Sequence, residues 1–206
     1  GYSFVSCSDE VIENRSVSLQ DYPFVDLILG KEKQTKMGRG AMALEFKTFT
    51  PSMQQALTDY CQKGGSLFIS GAYVGSDLWD NPMANQTDKE FATEVLKYKW
   101  RAGQAAIEGK VKSVTSPYSV LGIQYTYYNE LNAESYVVES PDAIEPATNE
   151  AFTILRYSEN NLSAGIAYKG KYKTFVTGFP FESLRSESER ESLMKSVLDF
   201  FDSPTE

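Results

Sequence analysis

The sequence predicts an α/β fold in which a central, mainly parallel sheet is flanked by helices and extended by antiparallel strands in the C-terminal half. Three observations predict it. Phe24–Gly30 is apolar on both faces, as in a strand covered on both sides. A capped amphipathic helix from Pro51 and a second apolar run, Ser66–Ser70, follow it in the order a right-handed crossover requires. Beyond Arg101 the pattern changes to short alternating segments parted by turn residues, closed by one amphipathic helix.

Taken in order, Tyr2–Cys7 alternates apolar and small residues and reads as a first strand, with Ser8-Asp9-Glu10 as a helix start or loop after it. Lys31–Ala43 is charged, holds Gly38 and Gly40, and reads as a loop. Gly38 and Gly40 have the look of a phosphate loop, but no strand leads straight into them and no Lys-Ser/Thr follows, so that motif is rejected. Thr50 is the expected N-cap of the next helix and Pro51 its first residue; Met53, Ala56, Leu57, Tyr60 and Cys61 form its buried stripe, and Gly64-Gly65 ends it. Thr87 and Glu90 suggest a capping box for a helix that carries Phe91, Val95 and Leu96 and ends near Trp100. Strands are expected at Gln104–Ile107, Val111–Val114, Ile123–Tyr128, Phe152–Tyr157, Ser163–Tyr168 and Tyr172–Thr177, with hairpin turns at Glu159-Asn160-Asn161 and Lys169-Gly170-Lys171. Ser140–Asn149 is the most loop-like interior stretch. A last helix is capped by Ser186 and Glu189 and buries Leu193, Met194, Val197, Leu198 and Phe201. No repeat or linker divides the chain, so residues 1–206 read as a single domain. Gly1 in place of Met, followed directly by a strand pattern, reads as a piece excised from a larger protein.

Composition removes whole classes of chemistry. The chain has no histidine, which excludes Ser-His-Asp and Cys-His triads, His-ligated zinc and imidazole pH switches. Its two cysteines, Cys7 and Cys61, form no C-x-x-C pair and read as free thiols. Neither a metal site nor a cofactor is expected. With 28 acidic against 20 basic side chains and no basic block, the chain repels phosphate backbones, so nucleic acid is not an expected partner. No apolar run approaches the length of a membrane span, so this segment is not expected to insert into a bilayer.

Four stretches carry a family resemblance: Asp26–Glu32 (D-L-I-L-G-K-E), Thr48–Tyr60, Gly64–Leu78 (G-G-S-L-F-I-S-G-A-Y-V-G-S-D-L) and Gly178–Ser183 (G-F-P-F-E-S). The chain resembles the class I glutamine amidotransferase-like, flavodoxin-like superfamily, and within it the module found in large secreted proteins of gut bacteria labelled xanthan lyases. The resemblance implies a flavodoxin-like three-layer sandwich, a location that is secreted, periplasmic or on the cell surface, and carbohydrate or neighbouring domains of a parent protein as partners. Catalytic amidotransferases set a cysteine on the turn after a central strand, with His and Glu near the last one. Here that turn reads Ser70-Gly71-Ala72, and Gly178–Glu182 offers a carboxylate without a histidine. The implied machinery is therefore missing, and fold alone does not fix function.

In open parallel sheets, ligands settle beyond the carboxyl ends of the strands. The loops expected there are Cys7–Glu10, Gly30–Lys33, Ser70–Asp77 and Gly178–Glu182. On this reading Glu32, Ser70, Gly71, Tyr73, Asp77 and Glu182 are the ligand-binding candidates, and Glu32, Tyr73 and Glu182 are the candidates for acid/base work. Each carboxylate also has a plain structural role on offer: Glu32 in a loop, Asp77 in a helical turn, Glu182 before the last helix. Tyr118, Tyr125, Tyr127 and Tyr128 suggest either a sugar-stacking face or ordinary strand packing, and packing is the favoured reading. The sequence thus points to a non-catalytic, amidotransferase-like module with a structural or ligand-binding role in a secreted carbohydrate-associated protein. The alternative is a polysaccharide lyase or hydrolase with a reassigned carboxylate/Tyr site.

Overall fold

The N-terminal stretch does not form the expected strand. In the computed structural model, which describes residues 2–38, 44–118 and 120–204, residues 2–8 belong to no strand among the described residues, and Phe4 is 91% exposed. A short helix α1 (Asp9–Glu13) follows, burying Ile12. Strand β1 (Phe24–Gly30) is as expected. The next stretch is not all loop: β2 (Thr35–Met37) pairs antiparallel with β3 (Leu44–Phe46). Gly40, half of the rejected phosphate-loop motif, lies outside the described residues.

Helix α2 (Pro51–Gln62) starts where the sequence places it. Thr50 is extended, its hydroxyl accepts the Met53 amide at 3.1 Å, and Pro51 takes the first turn, where its missing N–H costs nothing. Met53, Leu57, Tyr60 and Cys61 face inward. Burial pushes the Cys61 thiol up to about 12. Both thiols are free, and Cys7 is exposed. Strand β4 (Ser66–Gly71) is buried throughout. Leu67, Phe68 and Ile69 are each contributing roughly 1.5–3 kcal/mol by leaving water.

The turn helix α3 (Ser76–Trp79) and helix α4 (Gln86–Glu90) come next. The capping box of α4 is Asn85 with Asp88, two residues earlier than the expected Thr87 with Glu90. Asp88 wins because it is buried and serves other donors as well: Lys47 Nζ at 2.6 Å and Gln54 Nε2 at 2.7 Å. The helix runs on as a π-helical turn, Phe91–Leu96, and ends at Lys97 in the left-handed region.

The later strands are β5 (Tyr98–Ala102), β6 (Lys110–Ser113), β7 (Gln124–Thr126), β8 (Ala143–Pro146), β9 (Ala151–Tyr157), β10 (Ser163–Lys169) and β11 (Lys173–Thr177). Helix α5 (Glu187–Asp202) closes the chain behind the expected Ser186/Glu189 capping box. The expected strand at Gln104–Ile107 is instead a bent turn, and β8 lies inside the stretch that reads as most loop-like. Lacking alternation, β8 takes its strand geometry from antiparallel pairing with β5.

The seven-stranded sheet, in the order β1-β4-β11-β10-β9-β6-β7, overturns the flavodoxin-like expectation. Only β1–β4 and β4–β11 are parallel, and the other four pairings are antiparallel. The result is a mixed, curled half-barrel that is mostly β, not a helix-flanked parallel sandwich. The physical reason is the chain between β9 and β11. Its connections are short hairpins, and a parallel neighbour needs a crossover of a dozen or more residues. One core, with Phe68, Phe175, Leu155, Tyr157 and Phe200, lies between the sheet and α5. The other, with Leu67, Ile69, Val176, Leu57 and Tyr98, lies between the sheet and α2, the π-helical turn and the β5–β8 ribbon.

One close crossing holds the carboxyl end of the sheet. A Cβ on Gly178 would overlap the Asp142 carbonyl oxygen, and the Asp142 amide donates to the Gly178 carbonyl at 2.8 Å. Gly178→Ala is expected to destabilise the fold by on the order of 3 kcal/mol or more, because backbone must move to admit the methyl. Thr50→Ala is expected to cost about 1 kcal/mol through loss of the cap. Urea unfolding of the two variants beside the parent checks both the values and their order.

Candidate functional site

The strands β1, β4 and β11 end side by side, so Gly30, Gly71 and Thr177 form one edge. Gly71 is required there, since a Cβ would lie 2.9 Å from that of Leu29. Ser70 sits between Ile28 and Thr177 in register and is wholly buried; its Oγ makes no hydrogen bond among the described residues.

After β11, Gly178–Pro180 leads into a 3₁₀ turn, Phe181–Ser183, that lies against β1. Phe181 packs edge-on against Phe68, with ring centroids 5.8 Å apart, and this fixes Glu182 beside Gly30. Tyr136 donates its hydroxyl to Glu182 Oε1 at 2.5 Å, leaving Oε2 buried without a partner. Burial and this bond to a carboxylate push the Tyr136 phenol well above its ordinary value, so the group is a proton holder rather than a base. Lys31 lies over the Tyr136 ring, 5.9 Å from its centroid, and pairs with Glu139 at 2.5 Å. Lys33 lies over Tyr73, 5.0 Å from its centroid.

Of the three expected carboxylates, Asp77 acts on Glu32 through its charge, while Glu182 acts on Asp26. Glu182 acts with Tyr136 and Asp26 on the α5 side of the sheet. Asp77 is buried and accepts the Gln34 amide at 2.6 Å. Burial raises it above the ordinary carboxylate range, against the pull of that bond. Glu32 is raised by burial first and then by the charges of Asp9, Asp77, Glu13 and Glu10. Glu32 and Asp77 therefore belong to the side where α1 sits on α2, and Cys7–Glu10 reaches the edge there without a strand behind it. No group of three or more Cys, Asp or Glu among the described residues could hold a metal ion.

Sequence reasoning named the Gly30–Lys33 loop without singling out Lys31 or Lys33, and it missed Tyr136, Glu139 and Asp26. Only Asp26 carried a signal, as a lone carboxylate within an apolar strand. The aromatic cluster is packing in the main. Tyr125 and Tyr127 are buried, Tyr118 packs on Phe200, and Tyr128 hydrogen-bonds Glu134.

With this geometry in view, comparison with known proteins is informative about the fold. No family model matches the sequence, and no curated protein is similar to it. Among solved structures, a β-galactosidase from Bacillus circulans sp. alkalophilus superposes on 92% of this chain with a TM-score of 0.56 and 11% identity. A β-galactosidase from Rahnella sp. R3 matches 91% of this chain with a TM-score of 0.52 and 12% identity. The chain spans only 24% of each of those two proteins. A ThuA-like protein from Bacteroides uniformis ATCC 8492 matches over 91% of this chain and 72% of its own length, with a TM-score of 0.53 and 9% identity. At 9% identity that likeness is one of fold alone. No helix among the described residues is long and apolar enough to cross a membrane.

Asp26 gives a test of this edge. Burial, and then the charge of Glu182, raise it to about 7, although it keeps solvent contact at the outer strand. A carboxyl raised in the folded state binds more protons there than in the unfolded chain, so its contribution to stability is lost as pH rises through about 7. Asp26→Asn removes that loss. The variant is expected to match the parent near pH 4 and to exceed it above pH 7 by about 0.5–1 kcal/mol, a figure reduced for solvent screening. Denaturant unfolding across this range checks both the sign and the crossover.

Proposed function

We propose that this chain is a non-catalytic, amidotransferase-like module of a larger exported, carbohydrate-associated protein, with a binding or structural role. One observation carries the reading. The turn where an amidotransferase would hold its nucleophile presents Ser70, wholly buried and without a hydrogen-bonded base. The neighbouring acid/base candidate, Glu182, is tied to a tyrosine that keeps its proton. A carbohydrate setting is supported by two β-galactosidases among the structural neighbours, of which this fold makes up about a quarter. Placement in a xanthan-lyase-type parent, outside the cytoplasm and as one domain, extends this reading from the sequence resemblance.

A second reading has one observation in its favour. Lys33 over the Tyr73 ring sets a cation beside a phenol, the pairing that a lyase uses to neutralise a sugar carboxylate and remove a proton.

Activity and retention assays on the purified chain separate the two. The first reading expects no ammonia from glutamine, no unsaturated product from acidic polysaccharides, and retardation by at least one polysaccharide in affinity electrophoresis. A rise in unsaturated product that disappears in Tyr73→Phe or Glu32→Gln would put the second reading in its place. Absence of both turnover and retention would remove the carbohydrate role altogether.

A further inference from the structure

We infer that residues 2–8 are a strap that closes onto the open edge of β1 as a parallel eighth strand, so that the chain's own N-terminal segment covers this edge.

The two ends of the segment already stand at the two ends of β1. At one end the Tyr2 ring lies 6.1 Å from that of Phe24, the first residue of β1, and the Tyr2 hydroxyl donates to Asp202 of α5. At the other end Asp9 bears on Glu32, two residues beyond β1; after burial, its charge is the largest cause that raises that carboxyl. Helix α1 is held at this end, because the Thr50 hydroxyl at the head of α2 donates to Glu13. Extended chain advances about 3.3 Å per residue, so Tyr2–Ser8 and Phe24–Gly30 each reach roughly 20 Å. The segment therefore runs in the direction of β1 with little slack. Yet no ladder joins the two among the described residues.

Three features fit the segment to that edge. The first is composition: Tyr2–Ser8 holds no charge and no proline, and Tyr, Phe and Val favour a strand. The second is the match of faces. Phe24 turns toward α5, where it meets Phe201, and Tyr2 lies on that same side. With a period of two, Phe4 and Ser6 follow Tyr2, and Val5 and Cys7 take the α2 side. Phe4 then covers Ile28, while Val5 and Cys7 come beside Val25, Leu27 and Leu29, which pack in the core on that side. Closure thus covers Phe4, Val5 and Ile28, three apolar side chains that stand exposed.

The third feature is the connection. A parallel neighbour needs a crossover of a dozen or more residues, and residues 9–23 supply it, with α1 packed on α2. Since α1 lies on the α2 side, the step from strap to β1 has the same hand as the step from β1 over α2 to β4. Crossovers in one sheet share that hand. A tethered segment also meets the edge at an effective concentration on the order of millimolar, ahead of a second copy in dilute solution. The strap is the occupant that the edge finds first.

The test is amide hydrogen exchange on the whole chain, followed by NMR, beside the reactivity of the exposed Cys7 thiol toward a thiol reagent. Closure is expected to slow alternate amides of residues 3–8, and the outward amides of β1, by tenfold or more against unstructured peptide. Val5→Pro and Ser6→Pro, each beside the alanine variant at the same position, sharpen the test. Neighbouring N–H groups point to opposite sides of a strand, so only one of the two prolines removes a donor aimed at β1. That one should restore fast exchange and speed Cys7 labelling severalfold; the other should stay within about twofold of its alanine variant. Should a proline variant fold poorly, the parent's own exchange rates decide the matter. Unprotected amides at residues 3–8 of the parent, or two prolines that act alike, overturn the proposal. Protection that grows with protein concentration, together with a dimer on size-exclusion chromatography, overturns it as well, because the edge then belongs to a second copy.

Discussion

The contact on which the rest of the fold turns is the crossing of residues 141–143 over the end of β11. Gly178 lets two backbones meet where any side chain would part them. Tyr157 reinforces the meeting from below, donating its hydroxyl to the Asp142 carbonyl at 2.7 Å. The Asp142 side chain then reaches across to accept the amides of Gly75 and Ser76, both at 2.7 Å, together with the Ser76 hydroxyl and the Trp100 indole N–H. One residue thus fastens the last strand, the start of α3 and the β5–β8 ribbon together. Burial raises the Asp142 carboxyl to about 7 even against the four donors, each of which favours the charged form. A buried acid so fully served is a structural clasp. Its removal would leave four donors without an acceptor.

That clasp explains why the carboxyl edge of the sheet is orderly although the sheet itself is mixed. Only the three strands β1, β4 and β11 need to be parallel for their ends to gather loops on one side. The antiparallel strands beyond them widen and curl the sheet and close the core under α5, where Phe200 meets Phe175, Phe152 and Tyr118. They add nothing to the edge directly. The site-forming part of the fold is therefore small, and the loop carrying Tyr136 and Glu139 completes it from outside.

How much of this was legible depends on which forces act locally. The helix from Pro51, the strand from Ser66 and the helix from Glu187 announce themselves through caps, apolar period and glycine stops, all set within a few residues. Orientation is another matter. The buried runs of β9, β10 and β11 look the same whether their neighbours are parallel or antiparallel, and only the hairpin lengths between them told against a parallel sheet. Tyr2–Cys7 has the composition of a strand but pairs with no strand among the described residues, so propensity yields to tertiary context. In the site, Ser70, Gly71, Tyr73 and Glu182 were reachable by the strand-end rule. Glu32 and Asp77 were assigned to the same cleft because sequence cannot say on which side of a sheet a loop will turn. Tyr136, Lys31 and Glu139 owe their roles to contacts between distant segments, which leave no local trace.

The outer strand β1 carries a further consequence. Among the described residues its far side has no neighbouring strand, and Ile28 is 54% exposed there. A bare edge of this kind is a template on which a second chain could grow, the first step toward runaway association. Asp26 stands two residues away on the same face of that edge. Two copies meeting there would have to bring their acidic groups together or neutralise them. The residue that costs the folded chain some stability near neutral pH thereby acts as a sentinel, keeping an open border from becoming a seam.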